Sequence, residues 1–136
     1  MKIYFSEFEV VTSSRLEIID ITKMVEEVVA KSGVRNGICV VHLPHATAAL
    51  MLNEAETRLW HDYLRLVKDV FKPDGDWQHN IIDSNAHAHL ASGFIGQTRI
   101  LPIKDGQLVR GTWQNILLLE LDGPRHRRVV VEVLGE

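Results

Sequence analysis

The chain has 136 residues with 15 basic and 18 acidic side chains, a formal net charge of −3; 46% of its residues are hydrophobic and 24% charged. That balance excludes disordered, collagen-like and coiled-coil chains and implies one domain over residues 1–136. The slight acidity argues against a nucleic-acid surface, no apolar run approaches the ~18 residues of a membrane span, and MKIYFSEFEV lacks the features of a secretory signal, so a cytoplasmic protein is expected.

Residues 2–11 alternate, with Ile3 and Phe5 and then, after a slip, Phe8 and Val10. This predicts a strand with a bulge near Glu7. Ser13 and Ser14 suggest a turn, and Leu16, Ile18 and Ile19 a second strand closing a hairpin. Thr22 is placed as the N-cap of a helix over 23–31 whose face is Met24, Val25, Val28 and Val29, with Gly33 at its end. Ile38 to Val41 is a continuous apolar run, the pattern of a buried central strand, closed by Pro44. Leu59, Trp60, Tyr63, Leu64, Val67, Val70 and Phe71 form a helical stripe within 54–71, followed by the turn Pro73-Asp74-Gly75-Asp76. A short helix is expected over 84–91, capped by Ser84 or Asp83 and left through Gly93 and Gly96. Residues 98–103 read as a strand, Lys104-Asp105-Gly106 as a tight hairpin turn, and 113–121 and 129–134 as two further strands. Strands outnumber helices and most are joined by tight turns. The fold class is therefore α+β, a compact sandwich of mainly antiparallel sheets with covering helices.

Seven histidines give the chemistry its candidates. His42 and His45, three apart on an extended segment, point to opposite faces. The small residues after His45 leave room and free amides for an anion. In Asn85-Ala86-His87-Ala88-His89 the two histidines diverge on a helix, whereas Asn85 and His89, four apart, share a face. His79 lies near that helix in sequence and can join His45 and His89 in a three-histidine set suited to zinc or another divalent ion. On a strand over 113–121, Gln114 and Glu120 share one face and Trp113 the other, and polar groups on an apolar strand need partners or a ligand. Arg125, Arg127 and Arg128 beside His126 form the one basic cluster, able to fork onto phosphate, to lie as a solvated loop or to make a subunit salt bridge. Cys39, the only cysteine, sits in an apolar strand and reads as inert core. No Walker loop, dinucleotide fingerprint or Gly-x-Ser-x-Gly elbow is present.

The ordered set His45-x-Thr47-Ala48, Asn53-Glu54, Gln78-His79, Asn85-Ala86-His87-Ala88-His89, Gly111-Thr112-Trp113-Gln114, Glu120 and Asp122-Gly123-Pro124-Arg125 resembles the secondary thiamine-phosphate synthase (YjbQ-type) family over nearly the whole chain. The resemblance implies a homotrimer with its site near subunit boundaries. It implies a metal or phosphate site at His45, His79 and His89, with zinc, nickel or magnesium as the divalent cofactor. Glu120, Gln114 and Asn85 then stand as catalytic groups, and Thr47, Trp113 and Arg125 as contacts to a small phosphorylated substrate. His42 and His61 match no dependable position. Ala46 departs from the family's usual Thr or Ser and removes a hydroxyl from that turn. The implied reaction couples an aminopyrimidine pyrophosphate to a thiazole phosphate. Two other readings use the same residues: a metal-dependent hydrolase or lyase with Glu120 as general base, and a non-catalytic trimeric module that holds a metal or an anion.

Overall fold

Alternation along each strand decides which sheet it joins and which face it buries. The computed structural model describes residues 1–136. In chain order the elements are β1 (Lys2–Val11), β2 (Glu17–Asp20), α1 (Thr22–Ser32), β3 (Gly37–His42), β4 (Ala48–Asn53), α2 (Thr57–Val70), a 3-10 turn (Gln78–Ile81), α3 (Ala86–Ile95), β5 (Thr98–Lys104), β6 (Gln107–Leu108), β7 (Asn115–Glu120) and β8 (His126–Gly135). Every strand pair is antiparallel. One sheet has the order β1-β8-β3-β5-β6 and the other β2-β7-β4. The α+β sandwich expected from the sequence is the observed architecture.

The main core lies between the sheets. Cys39, Val41, Val129, Val131 and Val133 face Leu50, Ile116 and Leu118, and Val25, Val28 and Val29 of α1 close the layer. The opposite face of the smaller sheet makes a second core: Ala49, Met51, Leu117 and Leu119 pack on Val67 of α2 and on Ala88 and Ala91 of α3. Strands β4 and β7 are therefore covered on both faces, which accounts for the continuous apolar runs Ala-Ala-Leu-Met and Ile-Leu-Leu-Leu.

Several local expectations are corrected. β1 and β2 form no hairpin: β1 pairs with β8, and β2 pairs with β7 in the other sheet. The register from Lys2↔Gly135 to Val11↔His126 is unbroken, so there is no bulge at Glu7; Val10 is buried and Phe8 partly so, while Ile3 and Phe5 face outward. β3 is central in its sheet but buried on one face alone, with Cys39 and Val41 inward and Ile38 42% exposed. Thr22 does not cap α1. Its hydroxyl donates to Asp20 Oδ1 (2.6 Å) and accepts from the Ile116 amide (2.8 Å), and Ile21 takes the cap position. α3 starts at Ala86 after Asn85 and runs through Gly93 to Ile95. Gly33 does end α1 in a left-handed conformation (φ 70°). In the β5–β6 hairpin, Asp105 (φ 53°) and Gly106 (φ 80°) both have positive φ, the pattern of a type I′ turn.

Candidate functional site

Three segments meet at one end of the smaller sheet: the β3–β4 loop, the start of α3, and the β7–β8 connection. They enclose an open cleft of about 600 Å³ lined by His45, Thr47, Asn85, His89, Arg125 and Arg127 among others. Behind it sits a buried ion pair. Glu120 is 0% exposed and Arg127 2%. Both lie on inward strand positions: Glu120 continues the Ile116–Leu118 face of β7, and Arg127 continues the Val129–Val131–Val133 face of β8. Arg127 Nε donates to both Glu120 oxygens (2.9 and 3.1 Å), and its Nη2 also bonds Glu120 Oε2. Thr12 Oγ1 donates to Oε1 (2.7 Å) and the Asp122 amide to Oε2 (3.1 Å). Burial pushes the Glu120 carboxyl up, but donation from Arg127, Thr12 and the Asp122 amide outweighs it and holds the group below the ordinary carboxylate range. A carboxylate so enclosed and so fully bonded is built to hold Arg127, not to take a proton from substrate or water.

Arg127 passes that order forward. Its Nη2 donates to the carbonyl and the hydroxyl of Thr47 (2.8 and 2.9 Å). The Thr47 hydroxyl, accepting from Arg127, keeps its own proton to give. The neighbouring His45 accepts the Arg128 amide at Nε2 (2.8 Å), which puts the neutral ring's proton on Nδ1. Burial, followed by the charge of Arg127, holds the His45 pKa below that of a free imidazole.

Asp122 organises the other wall. Its Oδ2 accepts from Asn85 Nδ2 and Arg125 Nη2 (2.9 Å each), its carbonyl accepts from Arg125 Nε (2.7 Å), and Arg15 lies 3.5 Å from Oδ1. Burial alone would raise the Asp122 carboxyl; Asn85 and Arg125 more than offset it and the group stays low. Because the amide nitrogen of Asn85 must face that carboxylate, its oxygen faces away, and Oδ1 is buried without any hydrogen-bond partner. His89 stands one helical turn on, and its ring lies 4.8 Å from that of His79, centre to centre.

The structure thus gathers His45, Thr47, Asn85, His89 and Arg125 in one cleft, with His79 beside His89. No group of three or more His, Cys, Asp or Glu side chains within the chain is placed to hold a metal ion. Trp113 and Gln114 lie elsewhere. They precede β7, and Gln114 Oε1 accepts the Gly111 amide (2.8 Å), while Trp113 is 69% exposed. The six residues of β7 separate them from Glu120 by roughly 20 Å at the usual rise per strand residue. Gln114 is off the strand and does not share a face with Glu120. The sequence places Arg127 in a basic cluster and Asp122 in the Asp-Gly-Pro-Arg motif, but does not show that both are buried and hold the walls of the cleft. The period-two register Arg127, Val129, Val131, Val133 is the signal that marks Arg127 as inward-facing.

Fold and cleft together define a small antiparallel α+β sandwich with a polar, imidazole- and guanidinium-lined site at one strand end. The family described as UPF0047 protein YjbQ-like matches residues 6–136. A UPF0047 protein of Methanothermobacter thermautotrophicus is 43% identical over the whole chain and 95% of its own length, and YugU of Bacillus subtilis is 33% identical over 93% of this chain and 96% of its own. A YbjQ-like protein of Sulfolobus solfataricus superposes with a TM-score of 0.98 at 51% identity over 99% of both chains. A protein of Aeropyrum pernix does so with a TM-score of 0.95 at 47% identity over 97% of this chain and 98% of its own. The chain belongs to the YjbQ/UPF0047 family.

Proposed function

We propose that the protein is an enzyme of the secondary thiamine-phosphate synthase type, joining an aminopyrimidine pyrophosphate to a thiazole phosphate in the cleft between His45, Asn85 and Arg125. The observation that carries this reading is Asn85 Oδ1, a buried acceptor with no partner in the wall of a cleft whose lining holds no carboxylate and includes Thr47, Arg125 and Arg127. An exocyclic amino group supplies the missing donor, and phosphate oxygens suit the Arg125, His45 and Thr47 donors. In the reaction the thiazole nitrogen forms a C–N bond at the pyrimidine methylene as the C–O bond to pyrophosphate breaks, and the electron pair leaves with pyrophosphate. The chain's part is to align the two rings and to neutralise the departing anion. Arg125, with Nη1 not engaged by Asp122, and the Nδ1–H of His45 serve the second need.

A divalent ion, zinc, nickel or magnesium, would supply further neutralisation of the same leaving group when bound. His79 and His89 are the imidazoles best placed to hold it, whereas His45 joins them only if its Nε2 releases the Arg128 amide. We place Trp113 and Gln114 in the site of a neighbouring copy, because they lie at the far end of β7 from their own cleft. The outer face of the larger sheet, where Ile3, Phe5, Ile38 and Ile100 are exposed, provides the apolar area for a homotrimer.

The test is incubation of purified, metal-supplemented protein with both precursors. Thiamine phosphate and pyrophosphate are expected in equal amounts, with kcat/KM lowered at least tenfold in Asn85→Ala and His89→Ala. Pyrophosphate without thiamine phosphate would indicate hydrolysis instead, and no product of either kind would overturn the enzyme reading.

A further inference from the structure

A second cavity, of about 460 Å³, opens on the other side of Asp122, where the end of α2, the first turn of α3 and the β1–β2 turn meet. Leu16, Val67, Phe71 and Leu121 make its apolar walls. Its polar groups are few: Arg15, Lys68, Ser84 and His87, with no carboxylate among the lining residues. His87 is 8% exposed, lines this cavity and not the cleft, and has a buried Nδ1 without a hydrogen-bond partner. A buried ring nitrogen left unsatisfied is rare in a folded chain and marks a place where a partner belongs. Arg15 reaches across the mouth, held at 3.5 Å from Asp122 Oδ1 with its side chain still 55% exposed.

We infer that this cavity is a separate binding site for a small acid with an apolar, ring-sized body and one carboxylate. The volume is that of a small-molecule pocket, and the lining combines apolar walls with a few directed polar groups. The ring lies between Leu16, Val67, Phe71 and Leu121. The carboxylate lies between Arg15 and Lys68, with Arg15 also bearing on Asp122 Oδ1 behind it, and it accepts from His87 Nδ1–H, which gains the bond it lacks. Asp122 divides the two sites: its Oδ2 belongs to Asn85 and Arg125 on the cleft side and its Oδ1 to Arg15 on this side.

Benzoate is the probe, with benzyl alcohol as its uncharged counterpart. Titration of the intact protein, followed by calorimetry and by ligand-observed NMR, is expected to show saturable benzoate binding at one site per chain. Benzyl alcohol should bind at least tenfold more weakly. Arg15→Gln, at an exposed position that does not threaten folding, should weaken benzoate at least tenfold, and His87→Leu, checked for an unchanged circular dichroism spectrum, should do likewise. His89→Ala in the cleft should leave benzoate affinity within twofold. The inference is overturned by absence of saturable benzoate binding, by equal affinity for the alcohol, or by loss of binding in His89→Ala with retention in Arg15→Gln.

Discussion

Arg127 is the residue on which the cleft's near wall depends. It neutralises a carboxylate that is 0% exposed and anchors the backbone and hydroxyl of Thr47. Arg127→Met leaves Glu120 charged, enclosed and short of donors, and removing one partner of a buried pair costs about 3–5 kcal/mol. Denaturant unfolding should show that loss, and Arg127→Met combined with Glu120→Leu should recover much of it by deleting the stranded charge. Acid should act on the same groups. The folded-state pKa values of Glu120 and Asp122 are lowered, so the stability they contribute is present above the unfolded carboxylate range and disappears as pH falls through their folded values. His45 and His87 are also lowered, by burial first and then by Arg127 and Arg15 respectively. The unfolded chain therefore takes up protons at these positions first, below about pH 6.5. The melting temperature should decline gently from pH 7 to 5.5 and steeply below about pH 4.5, and His87→Leu should flatten the gentle part. The sequence pointed to His45, Asn85 and His89, because a helical spacing of four and a strand end can be read locally. It hid the role of Glu120, because β7 is covered on both faces and the donors arriving from Thr12 and Arg127 are distant in sequence.

At the scale of the elements, legibility followed locality. The β5–β6 turn was readable because Asp105-Gly106 has a known backbone requirement, and the stripe of α2 because its period is long and regular. Strand β4 went unread: two alanines open it, alanine has little strand preference, and burial on both faces removes the alternation that usually marks a strand. The β1–β2 pair was misread because neighbours in sequence usually pair, whereas here the Ser13-Ser14 turn carries the chain from one sheet to the other. Gly106→Ala tests the hairpin. A Cβ at φ 80° is strained and would meet the Arg35 guanidinium at 3.1 Å, so stability should drop by about 1–2 kcal/mol. Leu118→Ala tests the main core. Leu118 is 0% exposed between the two sheets, and its truncation should lower unfolding free energy by about 2–5 kcal/mol in urea or guanidinium titration.

For the whole molecule, the outer face of the larger sheet and the distance of Trp113 from the cleft are two aspects of one proposal. Ile3 (63% exposed), Phe5 (58%) and Ile100 (59%) lie on a sheet surface that a solitary protein would normally make polar. Phe5→Lys combined with Ile100→Lys should turn the proposed trimer into a monomer by light scattering, leave the circular dichroism spectrum unchanged, and abolish the proposed turnover by separating Trp113 from the neighbouring cleft assigned to it. A trimer that survives both lysines places the subunit contact elsewhere. The strand order has one more result. β8 follows every other strand in the chain, yet it lies between β1 and β3 and is the only partner of β1. During translation the smaller sheet can assemble once β7 has left the ribosome, since β2 and β4 precede it. β1 has nothing to pair with until residues 126–135 emerge, so a ribbon carrying Ile3, Phe5, Phe8 and Val10 stays unpaired until its distant partner is made, and this non-local pairing closes the larger sheet late.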